Sequence, residues 1–327
     1  MSRTRGPLPE GRGLFFGRSV AVDKDAMRRL ARLAAAGLVL AACGQPPPQV
    51  SLSDTGPAEP GTPAPAPLRI AISPMESPER TFAQYSELFA HVAQDLGRPV
   101  EMIQRQTYSE VVSLVEHRRV DAALVCSGPY VQAHADFGAQ ILVVPRIGGT
   151  TSYQALVIVR RDSPYRGFDD LRGRSFALTD ALSTSGMVFP AALARERGKT
   201  TETFFGKVLF TKGHDNSVRA VAEGVVDGAA VSSLVYDELT RQSPALGARL
   251  RVIARSPPFG NPPVIVHPNL DPGVKKLLKE ALLVLQDDPP ALAILRKMGI
   301  ERFVEGDAGA YEEVRRLRAK VHPRAGS

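Results

Sequence analysis

From Leu68 onward the chain alternates short apolar strands with amphipathic helices, and this rhythm constrains the fold more than any other feature. Leu68-Arg-Ile-Ala-Ile-Ser reads as a strand. Phe82, Tyr85, Phe89, Val92 and Leu96 then recur at helical spacing, and Gly97 stands where a helix stops. Val100-Glu-Met-Ile-Gln is a second strand. A helix over 108–118 turns Val111, Val112, Leu114 and Val115 inward. Val120-Asp-Ala-Ala-Leu-Val-Cys is a third strand, apolar almost throughout. A strand without polar alternation is covered on both faces, so the expected class is α/β with a parallel sheet between helices. Further strands are expected at 140–147, 153–160, 174–179, 207–211, 227–232, 250–255 and 263–267. Further helices are expected near 185–197, 216–224, 233–241, 272–286, 289–298 and 307–320. No repeat of 20–50 residues appears, which excludes a solenoid. The Arg/Glu-rich stretch from Tyr311 to Lys320 reads as a solvated face.

Hydrophobic residues make up 43% of the 327 and charged residues 23%, which excludes a disordered chain and a multi-span membrane protein. The length favours two domains. The net charge of +7 is local. Arg3, Arg5, Arg12, Arg18, Lys24, Arg28, Arg29 and Arg32 precede position 43, against only Glu10, Asp23 and Asp25. The remaining body is nearly neutral, so no nucleic-acid partner is expected.

Residues 27–42 have the layout of an export signal. Arg28, Arg29 and Arg32 form the positive end, and Leu33-Ala-Ala-Ala-Gly-Leu-Val-Leu the apolar stretch. The run is too short to span a bilayer as a helix. Leu40-Ala41-Ala42-Cys43 follows and resembles a bacterial lipobox, in which the cysteine becomes the lipid-modified first residue. Residues 1–26 read as an extension upstream of the true start at Met27. Residues 43–67 read as a lipid-anchored tether, since Pro46, Pro47, Pro48, Pro57, Pro60, Pro63, Pro65 and Pro67 exclude helix and ladder. With Cys43 lipidated, Cys126 is the only body thiol, and no intrachain disulfide is available.

Two strand-to-helix junctions carry chemistry. Asp180-Ala-Leu-Ser183-Thr184-Ser185-Gly186 places three hydroxyls where the first helical N–H groups point outward and the dipole favours an anion. The same residues also serve as an ordinary N-cap, and the motif alone leaves both readings open. Gly213-His214-Asp215-Asn216-Ser217 repeats the junction some thirty residues on. His214 either donates to an anion or is held by a nearby carboxylate. Asp215, adjacent in sequence, is poorly placed to orient His214, and no Gly-x-Ser-x-Gly elbow is present, so a Ser185–His214–Asp215 hydrolase is not expected. Neither His-x-x-x-His nor Cys-x-x-Cys occurs, so neither a metal nor another cofactor is expected. Gly260-Asn261-Pro262-Pro263 reads as a rigid turn before Val264-Ile-Val.

These junctions and the lipobox resemble the phosphonate/phosphite/phosphate substrate-binding proteins of ABC transporters. The resemblance runs from about Leu68 to Arg302. It rests on Tyr108, Val120-Asp121-Ala-Ala, Gly128-Pro-Tyr130, Tyr153, Ser183-Thr-Ser-Gly186, Gly213-His214-Asp215, Ala220-Val-x-x-Gly-x-Val-Asp227 and the Pro-rich turn at 257–263. It implies a two-lobed periplasmic-binding-protein type II fold with a hinge of two crossing strands near 153–160 and 250–256. Lobe 1 is then 68–153 plus 256–327, and lobe 2 is 154–255. The implied anion contacts are Tyr108, Tyr153, Ser183, Thr184, Ser185 and His214, with Tyr130 and Asn261 as further candidates. Cys126, at the end of the third strand where ligands sit in such sheets, reads either as a small buried hydrophobe or as a soft ligand for a thiol-seeking oxyanion. The acids that receive an ammonium tail in aminophosphonate binders fall at Leu234 and Asn261 here, so a small oxyanion or an uncharged-tail phosphonate is expected in preference to aminoethylphosphonate.

Two functions follow. The first is a monomeric, lipid-anchored protein of the cell envelope that captures phosphate, phosphite or a simple alkylphosphonate and delivers it to an ABC permease. The second is a sensor that binds an oxyanion such as arsenite through Cys126 and docks a membrane histidine kinase. Cys43→Ser tests the anchor. The variant should be released into the soluble exported fraction or remain unprocessed, whereas unchanged membrane attachment in fractionated cells contradicts it.

Overall fold

A computed structural model describes residues 65–322. The extension, the signal segment, Cys43 and the tether as far as residue 64 lie outside the described residues.

Two sheets organise the described residues. The strands are β1 (Leu68–Ile72), β2 (Val100–Gln104), β3 (Ala122–Leu124), β4 (Gln140–Arg146), β5 (Ser152–Tyr153), β6 (Ala155–Arg160), β7 (Ser175–Leu178), β8 (Lys207–Phe210), β9 (Gly228–Ser232), β10 (Leu250–Arg255), β11 (Phe259–Gly260), β12 (Val264–Val266) and β13 (Arg302–Val304). One sheet has the order β13-β4-β12-β3-β1-β2, the other β10-β6-β9-β7-β8, and β5 pairs with β11 in a two-stranded ribbon.

The sheets are mixed, which corrects the expectation of a parallel one. β1 pairs in parallel with β2 and β3, and β7 in parallel with β8 and β9. β12 is antiparallel to both β3 and β4, and β6 to both β9 and β10. The cause is connectivity. β6 and β12 each begin just after the chain has passed from one sheet to the other, so they start where the neighbouring strands end. The parallel strands of both sheets therefore direct their carboxyl ends toward a common region, where ligands bind in such sheets.

The buried strands explain the long apolar runs. In β6 Ala155, Leu156, Val157, Ile158 and Val159 are all buried, as is the whole of β9. The helix Tyr108–Glu116 starts with a capping box, in which Thr107 accepts from the Glu110 N–H and Glu110 accepts from the Thr107 N–H. That box fixes Tyr108 at the first helical position.

Residues 127–137 form a helix, Ser127–Phe137, that the sequence reading did not anticipate. Two other expectations are corrected. The helix Glu312–Val321 is amphipathic rather than a wholly solvated face. Val314, Leu317 and Val321 are buried, and it packs on the helix Phe189–Arg195, while Arg315–Glu312 and Arg316–Glu313 pairs line the outside. Finally, Phe259 and Gly260, read as part of a turn region, pair with Tyr153 and Ser152.

Candidate functional site

Strands β7 and β8 each end in a junction that delivers polar side chains to one place. After β7 the backbone makes a π turn, Thr184–Val188, before the helix Phe189–Arg195. Such turns recur at functional sites. Ser183 caps it, accepting the Gly186 N–H at 3.0 Å. A Cβ at Gly186 would collide with the Thr179 side chain, so only glycine permits this closeness. After β8 the helix His214–Ala222 begins, and its N-cap Gly213 supplies no side-chain bond.

His214 links the two junctions. Its Nδ1 accepts the Ser232 N–H at 3.2 Å and lies 3.1 Å from the Thr179 hydroxyl. A backbone amide can only donate, so Nδ1 is unprotonated and the neutral ring carries its proton on Nε2. Nε2 lies 3.4 Å from Ser185 Oγ and 3.5 Å from Ser183 Oγ. Among the described residues no carboxylate holds the ring, against one of the two readings taken from sequence. Asp215 instead accepts the Ser77 N–H at 2.9 Å, so Ser185, His214 and Asp215 do not assemble a triad. Burial lowers the imidazole pKa to about 3, which keeps it a neutral donor at physiological pH.

The six-stranded-sheet half supplies the opposing donors. The Ser127 hydroxyl donates to Thr184 Oγ1 at 2.9 Å and lies 3.0 Å from the Tyr153 hydroxyl. Cys126 Sγ is 3.5 Å from the same tyrosine oxygen. Tyr108 is fully buried and its hydroxyl has no hydrogen-bond partner among the described residues. Burial, with Cys126 close by, raises the pKa of both Tyr108 and Tyr153, so both stay protonated and able to donate.

Part of this network borders a cavity of about 490 Å³, whose lining includes neither Tyr108 nor Ser127. Cys126, Tyr153 and His214 line it directly. Ser183, Thr184 and Ser185 are fully buried; Ser183 and Ser185 stand one hydrogen bond behind that lining, at His214, and Thr184 two, through Ser127 and Tyr153. Tyr130 and Asn261 stand elsewhere. Tyr130 packs edge-on against Tyr311 at 4.7 Å, the Tyr311 hydroxyl donates to the Asn261 carbonyl, and Asn261 Nδ2 donates to the Pro145 carbonyl. Neither is among the residues lining the cavity.

Leu234 lines the outer cavity, and so do Asp237 and Glu238 from the same helix, Ser233–Gln242. Glu238 is paired with Arg241 at 2.7 Å, while burial raises the Asp237 pKa. Carboxylates thus border the outer cavity about one turn along the helix from Leu234.

Sequence reading missed Ser127, which bridges Tyr153 and Thr184. Its signal was present: a hydroxyl at the first residue of a helix after a buried strand, as at Ser183. It also missed Thr179 and the Ser232 amide, since nothing local marks a strand end as a partner for a distant histidine.

The histidine makes a testable contribution to stability. Its folded pKa is depressed below the ordinary value of 6.5, so the unfolded chain binds the proton more readily. Its contribution is fully present above about pH 6.5 and declines as pH falls toward 3, by up to about 1.4 kcal/mol per pH unit. Melting temperatures between pH 7 and pH 4.5 should therefore fall less steeply for His214→Gln than for the unmodified protein. Parallel profiles contradict the buried neutral state.

Comparison with known proteins identifies the family. The sequence model of the family described as "ABC transporter, phosphonate, periplasmic substrate-binding protein" matches residues 70–311. The "Phosphate-import protein PhnD" of Mycolicibacterium smegmatis is 28% identical over 256 residues, covering 75% of this chain and 77% of that protein. The "Phosphonates-binding periplasmic protein" of Escherichia coli is 24% identical over 241 residues, covering 72% of this chain and 71% of that protein. In structure, the chain is similar to PhnD1 of Prochlorococcus marinus in complex with methylphosphonate. The TM-score is 0.70 at 18% identity, over 78% of this chain and 98% of that one. The chain has the two-lobed α/β architecture of periplasmic binding proteins, and it belongs to the phosphonate periplasmic substrate-binding proteins of ABC transporters.

Proposed function

We propose that this protein is an extracytoplasmic lipoprotein, anchored through Cys43, that captures phosphate, phosphite or a simple alkylphosphonate between two lobes and delivers it to an ABC permease. The lobes are 68–153 plus 256–327 and 154–255, hinged on the strands near 153–160 and 250–256. It acts as a monomer and performs no catalysis.

The observation that carries this reading is the convergence of neutral donors from both halves. Ser183, Thr184, Ser185 and His214 come from one side, and Tyr108, Ser127 and Tyr153 from the other. The anion contacts are Tyr108, Tyr153, Ser183, Thr184, Ser185 and His214. Neutral hydroxyls and an imidazole N–H bind a phosphorus oxyanion by hydrogen-bond number and direction, without a counter-ion whose desolvation would oppose binding. Tyr108 brings a buried hydroxyl with no hydrogen-bond partner among the described residues, the position in which a ligand oxygen completes an unmet hydrogen bond. Ser127 and Thr184 bond to each other, so the anion inserts by exchanging that bond for two of its own.

A second reading has one supporting observation. Cys126 lines the cavity beside Tyr153, so a thiol-seeking oxyanion such as arsenite has a sulfur within reach. This is the reading in which the protein docks a sensor kinase.

A thermal-shift panel of phosphate, phosphite, methylphosphonate, aminoethylphosphonate, sulfate and arsenite decides among these ligands. At about 100 times its Kd, a ligand stabilises the fold by roughly 2.7 kcal/mol. The account expects a phosphorus oxyanion to give the largest shift, and Thr184→Ala to weaken that ligand about tenfold or more while the fold survives. A larger shift with arsenite, lost in Cys126→Ser, favours sensing. Normal binding in both Thr184→Ala and Ser185→Ala overturns the cradle.

A further inference from the structure

Two carboxylates that do not belong to the cradle connect the two halves. Asp215 Oδ1 accepts the Ser77 N–H at 2.9 Å. Asp180 Oδ2 accepts the Tyr108 N–H at 3.1 Å. Both acids follow strands of the five-stranded sheet, β8 and β7. Both amides open helices that follow β1 and β2 of the six-stranded sheet.

The helix starts need such partners. The first N–H groups of a helix lack intrahelical acceptors, and the dipole there favours negative charge. Ser77 is the N-cap of the helix Pro78–Asp95, yet its side chain makes no capping bond. The cap comes instead from Asp215, 138 residues away. In return the His214 N–H, the first of its own helix, donates to the Met75 carbonyl at 2.9 Å. Asp180 is aimed by its own backbone, since Oδ1 accepts the Leu182 N–H at 2.8 Å. The packing between these contacts is tight. A Cβ on Gly128 would press on the Leu182 carbonyl and come within 2.9 Å of Thr184 Oγ1.

We infer that Asp180 and Asp215 are positioning residues, a two-point latch that holds the halves in the arrangement where cradle hydroxyls, Ser127 and Tyr108 meet one ligand. When the halves separate, both carboxylates and both amides return to water. The latch therefore acts on the balance between the two arrangements rather than on the stability of either half. Apparent affinity scales with the fraction of molecules in the binding arrangement, so loosening the latch weakens the ligand without touching it. Each charge-assisted bond shifts that balance about tenfold to a hundredfold. This assigns separate tasks to adjacent residues: His214 faces the anion, and Asp215 faces the other half.

The ligand arm of the test rests on the anion-capture reading, and the distance arm does not. Cysteines replacing Lys207 in β8 and Lys276 in the helix Pro272–Leu283 put a dye pair on opposite halves, both at exposed positions. Energy transfer is read in the mature protein, with and without methylphosphonate. The Asp180→Asn/Asp215→Asn variant should show lower transfer without ligand, an apparent Kd for methylphosphonate raised about tenfold or more, and wild-type transfer at saturation. A merely structural role would not give that recovery. If the double variant does not fold, Asp180→Asn alone should show the same pattern at smaller amplitude. Unchanged transfer and unchanged Kd overturn the latch. If the unmodified protein fails to bind methylphosphonate, the ligand reading needs revision, and the transfer difference without ligand still decides the latch.

Discussion

The hydrogen bond from the Ser232 amide to His214 Nδ1 sets the character of the whole site. It ties the end of β9 to the start of the helix after β8, and it fixes the imidazole tautomer. With Nδ1 occupied, the ring proton points toward Ser183 and Ser185. Burial then keeps the ring neutral. Were the proton on Nδ1, the Ser232 amide would face another donor and the serine hydroxyls would face a lone pair. The site would be a different one on the same backbone.

A cradle made of neutral donors has consequences for selectivity. Hydroxyls and amides contribute roughly 0.5–1.5 kcal/mol each, more when the acceptor is charged, so affinity comes from several aligned bonds rather than one ion pair. Beyond the cradle, the outer cavity carries Glu76, Asp237 and Glu238 against a single arginine, Arg241. Glu76 and Glu238 are neutralised locally by Arg80 and Arg241. Asp237 has no ion-pair partner among the described residues, and Met75, Tyr85, Leu234 and Met298 also line the cavity.

Much of this was legible in the residue pattern, for physical reasons that differ by element. Buried strands such as β6 and β9 announce themselves as unbroken apolar runs, because both faces are covered. Ser183-Thr-Ser-Gly186 and Gly213-His214 were legible as helix starts because N-terminal amides recruit hydroxyls and glycines. Strand direction was not legible, since β12 is antiparallel only because the chain re-enters its sheet from the cavity side. The helix Ser127–Phe137 was hidden by Gly128 and Pro129, which a helix tolerates in its first turn. The partners of His214 and the trans-capping by Asp180 and Asp215 are long-range pairings, and no local spacing encodes them.

The central claim is that His214 is a neutral Nε2–H donor that bonds the oxyanion directly. Nitrogen-15 NMR of protein labelled at histidine, recorded at pH 7 with and without methylphosphonate, addresses it without perturbing the site. The account predicts an unprotonated Nδ1 in both states and a shift confined mainly to Nε2 and its proton on ligand addition. An imidazolium in either state, the opposite tautomer, or a His214 signal unmoved by a ligand that binds would contradict it.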